Sequence, residues 1–239
     1  MHRQLCALAA AAVGVTMLGA CELTPESTFE DGADLRQKIT AVRLDDIGSG
    51  RVTVRGGAAG ASLRRTLKYR DDRPDGPTHR VRDGVLTLTG CGSRCSVDYT
   101  VQLPAGIPVS GGTSSGSISL TRVGPVEVTT SSGSIRLDGI AGTVKARTSN
   151  GRIEAGDLRG TGIDVQTSNG AIKLAPATAQ NVRAKTSNGE ITVTAPAGRY
   201  RISTRSSNGD RNITVPNDPS AAHVLDLTTS NGDITVAPA

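Results

Sequence analysis

The side chains with the clearest chemical potential are serines, asparagines and cysteines at glycine-rich corners. Gly112-Thr113-Ser114-Ser115-Gly116 matches G-x-S-x-G, in which a serine on a strand-to-helix turn attacks an acyl group. That chemistry needs a helix after the serine and a histidine within reach. Instead a similar Ser-rich corner recurs along the chain, and the only histidines beyond residue 20 are His79 and His223. No catalytic residue follows from this motif. Asn150, Asn169, Asn188, Asn208 and Asn231, preceded by Ser115 and Ser132, form a row that could hydrogen-bond a glycan. Asn-Gly also tolerates left-handed backbone, and stacked amides bond one another, so a structural corner ladder is the stronger reading. Arg147, Lys185 and Arg205 each stand four residues before a corner glycine and are candidate cations for a ligand bound on a sheet face. Asp210 and Asp233 follow Asn-Gly but lack the nine-residue period of calcium-binding repeats, and neither His spacing implies zinc, so no metal site and no cofactor is expected.

The elements that must position these residues are set by a repeat. Corner glycines fall at Gly116, Gly133, Gly151, Gly170, Gly189, Gly209 and Gly232, with spacings of 17 to 23 residues. Seven residues before each glycine stands an aliphatic residue (Val109, Val126, Val144, Ile163, Val182, Ile202, Leu225), and two after it an isoleucine in six of the seven. Each unit therefore reads as a strand, a corner and a second strand. A period near twenty implies a solenoid, because one such unit cannot bury its own apolar face. The outward positions support parallel stacking: Glu127, Lys145, Asp164 and Arg183 alternate in sign, as do Arg136, Glu154 and Lys173. The expected fold is all-β, a parallel β-solenoid of about seven coils over residues 105–239, with an N-terminal β module over 38–104 capping one end. Coil six, where Asp210, Arg211 and Asn212 precede Ile213, predicts a bulged corner. Leu225–Leu227 and Ile234–Val236 are expected to form an open edge able to pair with a partner strand or a second copy.

Composition narrows the class further. One Phe, three Tyr and no Trp leave an aliphatic core and no stacking platform for single-stranded nucleic acid, and 27 basic against 22 acidic residues is a small excess. Nucleic acid is excluded as a partner. Arg64, Arg65, Lys68, Arg70, Arg73, Arg80 and Arg82, interspersed with Asp71, Asp72, Asp75 and Asp83, read as a solvated loop of mixed charge. Residues 1–20 carry Arg3 and then an uncharged apolar run, as in a signal peptide. The run ends in Leu18-Gly19-Ala20-Cys21, which resembles the lipobox of bacterial lipoproteins and makes Cys21 the expected lipid-attachment residue. Residues 21–37 then read as a tether, and the protein as exported, membrane-anchored and outward-facing. In an oxidising compartment Cys91 and Cys95 read as a disulfide-closed loop, with free thiols the alternative.

Tyr99-Thr100-Val101-Gln102-Leu103-Pro104-Ala105-Gly106, together with the Ser-(Ser/Asn)-Gly-x-Ile units after it, resembles the bacterial "putative adhesin" family of exported β-strand-repeat proteins. The resemblance covers roughly residues 38–239. It implies a right-handed β-solenoid and a surface role, and it supplies no catalytic residues. The sequence thus points to a lipid-anchored, non-catalytic adhesion or scaffold module, held by acylated Cys21 in membrane lipid and meeting an envelope protein or glycan. The alternatives are an envelope partner-binding or sensor-associated subunit and, behind it, a glycan-active β-helix enzyme.

Overall fold

The structure is a computed structural model that describes residues 26–239; the signal segment and Cys21 lie outside the described residues. Its N-terminal part contains β1 (Ser27–Leu35), β2 (Ala41–Ser49), β3 (Val52–Gly56), β4 (Ala61–Tyr69), β5 (His79–Arg82), β6 (Val85–Thr89) and β7 (Cys95–Leu103). The repeats supply strand pairs: β8 (Val109–Ser115) with β9 (Ile118–Thr121), β10 (Val126–Ser132) with β11 (Ile135–Asp138), and β12 (Val144–Asn150) with β13 (Ile153–Leu158). They continue as β14 (Gly162–Asn169) with β15 (Ile172–Pro176), β16 (Asn181–Lys185) with β17 (Ile191–Ala195), β18 (Tyr200–Asn208) with β19 (Arg211–Ile213), and β20 (His223–Asn231) with β21 (Ile234–Pro238).

Two sheets result, one of eleven strands and one of ten, and the repeat strands in both are parallel and in register. Val126 lies beside Val144, and Ile135 beside Ile153, so each aliphatic column becomes a continuous row inside the stack. One buried cluster runs from Ile39 to Val236. This is the all-β solenoid expected from the repeat. It is longer than the seven coils, because β2 with β3 and β6 with β7 add two parallel rungs below β8 and β9. The sheets therefore run unbroken across the boundary at residue 104.

Three expectations change. Ser27–Leu35, placed in the tether, is β1, and it pairs antiparallel with β4 along its whole length. Phe29, Asp31 and Leu35 are its partly buried residues, so a carboxylate occupies the middle of the inward row and conceals the apolar period. Arg65 is its partner and is no solvated loop residue. Its side chain is only 8% exposed, and its Nε and Nη2 donate to the two Asp31 carboxylate oxygens at 2.6 and 2.7 Å. Arg65 Nη1 also donates to Thr78 Oγ1 at 2.9 Å, and the Tyr99 hydroxyl reaches the Thr78 and Thr89 carbonyls. Burial pushes the Tyr99 hydroxyl up to about 12, while the hydrogen bonds from Arg65 hold the Asp31 carboxyl below its usual value. A carboxyl whose pKa is lowered on folding adds stability that is present above its unfolded pKa, about 3.9, and lost as the pH falls through the folded value. Asp31→Asn should therefore cost about 1–2 kcal/mol at pH 7, allowing for solvent screening at Asp31. The difference from the parent should begin to narrow below about pH 4 and close only once the pH has fallen through the lowered folded value. Denaturant unfolding at both pH values checks this; a gap that persists in acid would show that Asp31 acts through packing alone.

The second change is the order of the last rungs. From β17 the chain skips a position, builds β18 and β19, and returns to fill the gap with β20 and β21. Leu225 lies between Val182 and Ile202, and Ile234 between Ile191 and Arg211. The expected open edge at Leu225–Leu227 and Ile234–Val236 is thus paired on both sides. The composition of the two rungs explains the order. Thr204, Ser206 and Arg211 occupy inward columns in β18 and β19, where β20 and β21 carry Leu227, Thr229 and Ile234. The rung with polar inward residues belongs at the solvent end, as a capping repeat. The third change follows from it: no bulge interrupts residues 210–213, because Arg211 simply takes the isoleucine column at an end where that column meets water. The outer edge of β18 is partly covered, since Asn217 Oδ1 accepts from Ile202 N and Asp218 N donates to Tyr200 O, both at 2.8 Å.

Candidate functional site

The asparagine corner is the most regular polar feature of the molecule. Asn169 Nδ2 donates to Asn150 Oδ1, Asn188 to Asn169, Asn231 to Asn188, and Asn208 to Asn231, each at 2.9 Å. The amides therefore satisfy one another along the axis. None of these asparagines has a positive φ; that geometry belongs to Gly170, Gly189, Gly209 and Gly232 beside four of them. A second column lies just inside it, three residues before each glycine. Thr148 Oγ1 donates to Gly133 O, Thr167 to Gly151 O, Thr186 to Gly170 O and Thr229 to Gly189 O, at 3.0–3.1 Å. Ser206 does the same to Gly232 O at 2.9 Å. The sequence motif shows these threonines but not that they point inward; their invariable spacing from the glycine is the signal that was available.

The outward charges pair between rungs. Lys145 lies 3.5 Å from Glu127, Arg136 meets Glu154, and Arg183 lies 3.9 Å from Asp226 of the inserted rung. The three candidate face cations are not brought together as a site. Arg147 lies 3.3 Å from Asp164 and is neutralised, while Thr228 stands between Lys185 and Arg205. Ser114 is exposed on β8 next to Ser115 of the corner row, followed by Gly116 and the strand β9 rather than by a helix. Asp210 and Asp233 are joined through Asp210 N and Asp233 Oδ1 at 2.8 Å. Among the described residues no group of three His, Cys, Asp or Glu could hold a metal ion. Cys91 and Cys95 are bonded, with Cα atoms 5.6 Å apart, at the start of β7.

The repeat that builds these ladders carries a family signature. A family described as Toastrack DUF4097 matches residues 107–237, more than half of the 239. The chain belongs to the Toastrack DUF4097 family. The Toastrack match takes in the repeats from Val109 onward and both rungs of the exchanged pair, and it leaves β1 to β7 outside. No curated protein matches. Among solved structures, a "putative adhesin" from Parabacteroides distasonis is 14% identical, covering 87% of this chain and 97% of its own, with a TM-score of 0.47. A "putative adhesin" from Parabacteroides merdae is 13% identical, covering 89% and 96%, with a TM-score of 0.45. A "putative cell adhesion protein" from Clostridium sporogenes is also 13% identical, covering 89% and 100%, with a TM-score of 0.41.

Proposed function

We propose that this Toastrack protein is a non-catalytic adhesion or scaffold module, exported and held on the outer side of a membrane by lipid on Cys21. The observation that carries the reading is the inward turn of its polar chemistry. The corner amides, the threonine hydroxyls and most column charges are bonded to the next rung, which makes a stiff rod rather than a converging reactive site. The Leu18-Gly19-Ala20-Cys21 motif supports the anchor. Five residues separate Cys21 from β1, a leash of about 20 Å when extended. The N-terminal rungs would then sit near the headgroups, and the nine rungs would carry β18 about 40 Å further out.

Cys21→Ala should move the protein from the membrane fraction to the soluble exported fraction, with palmitate labelling lost. Retention in the membrane with label intact would refute the anchor. Attachment of cells to a coated surface, compared between strains making the parent and Cys21→Ala proteins, tests the adhesive half. Equal attachment after loss of the anchored form would leave the scaffold reading alone.

A further inference from the structure

The outward face of the N-terminal strands holds a groove that no repeat column accounts for. Its volume is about 560 Å³, and its lining includes Asp34, Arg55, Ser62, Arg64, Thr100 and Gln102. Cross-strand register builds it from four separate segments: Arg55 lies beside Gln102, Gln102 beside Ser62 and Ser62 beside Asp34, while Thr100 lies beside Arg64 and Arg64 beside Gly32. The missing side chain at Gly32 keeps the wall next to Arg64 low. The floor is made of hydroxyls and an amide, and two arginines flank it, Arg55 on β3 and Arg64 on β4, rooted two strands across and two residues along, about 12 Å between Cα atoms.

Those two guanidiniums differ from the paired cations of the repeat columns. Lys145, Arg147, Arg136 and Arg183 each face a carboxylate one rung away. Arg55 and Arg64 are exposed and, among the described residues, form no ion pair. A guanidinium presents a planar fork of donors that matches carboxylate and phosphate oxygens, and hydroxyls and amides suit the hydroxyls of a sugar. Two such forks rooted on separate strands along one groove fit acid groups spaced along a polymer.

We propose that this groove binds an oxyanion-bearing glycan, with Arg55 and Arg64 holding successive acid groups and Ser62, Thr100 and Gln102 hydrogen-bonding the sugar between them. Asp34 closes one end and disfavours a further acid group there. The proposal rests on the adhesive reading of the rod, but binding in solution is independent of the anchor, so the two fail separately.

The test is calorimetric titration of the full-length protein in detergent with oligogalacturonate, with a glycerol-phosphate polymer and with neutral maltoheptaose. Saturable binding of at least one polyanion, weakening as salt rises, is expected, with no binding of maltoheptaose. The polyanion that binds identifies carboxylate or phosphate as the acid group recognised. Arg55→Ala and Arg64→Ala should each weaken binding at least fivefold, and the double variant should abolish it. Asp34→Asn should strengthen it two- to fivefold. All these residues are exposed, so unchanged thermal midpoints are expected. Failure of both polyanions to bind, equal binding of maltoheptaose, or undiminished binding by the double variant would overturn the proposal.

Discussion

Gly170→Ala is expected to destabilise the array by at least about 3 kcal/mol. A Cβ at Gly170 would lie 2.6 Å from the carbonyl carbon of Gly151 and closer still to its oxygen, at a backbone φ of +156°. The obstacle is main chain, so no rotamer change relieves it. Moving the two rungs apart would stretch the Gly151 N to Asn169 O bond of 3.0 Å, the Thr167 hydroxyl bond to Gly151 O and the Asn169–Asn150 link of the ladder together. Asn169→Ala is the control, because it breaks the ladder without crowding the corner and should cost about 0.5–1.5 kcal/mol. Urea unfolding of both variants checks the contrast. If the two costs agree within about 0.5 kcal/mol, close backbone approach is not what demands glycine.

Leu227→Ala should cost about 2–5 kcal/mol, and Thr204→Ala less than about 1. Leu227 is 0% exposed between Ala184 and Thr204, so truncation leaves a cavity walled on both sides. Thr204 sits in the same inward column one rung further on, where it meets solvent. Stacking in chain order would reverse the ranking, with residue 204 enclosed and residue 227 at the open end. The two unfolding midpoints therefore decide the rung order. An equal or greater loss at Thr204 would reject the exchanged order.

The aliphatic columns, the parallel register and the charge pairs were legible because each rests on a fixed offset from a corner glycine. The order of the last rungs was not, since a one-dimensional repeat carries no statement of who stacks on whom. Two clues were nevertheless present. Coil six carries Thr204 and Arg211 in apolar columns, which marks an end rung rather than a bulge. The alternation of sign after Arg183 continues only if Asp226 follows it, and not Ser203. In the first rung, Gly50 is preceded by a register shift between Leu44 and Ile47, with Asp46 at a positive φ, which displaces Val42 and Leu44 from the repeat offsets. β1 was hidden by Asp31, whose partner lies 34 residues away. The groove flanked by Arg55 and Arg64 has no local motif at all, because four strands from distant parts of the chain meet to form it.

The exchanged rungs also separate the order of synthesis from the order of assembly. As the chain grows, each repeat from β8 onward can settle on the one made before it, until β16 and β17 are in place. Residues 200–213 then emerge without their native neighbour, because β20 and β21, which flank them in the finished rod, are made later. Growth of the rod must pause there and resume only when residues 223–238 arrive to join both sides. The capping rung is consequently fastened by the segment translated after it, and an interrupted chain stopping near residue 220 would lose the attachment of two rungs rather than one. Such a product would expose the edges of β16 and β17 to proteases and to stray strands, so that unfinished molecules are distinguishable from finished ones at the surface that matters for clearance.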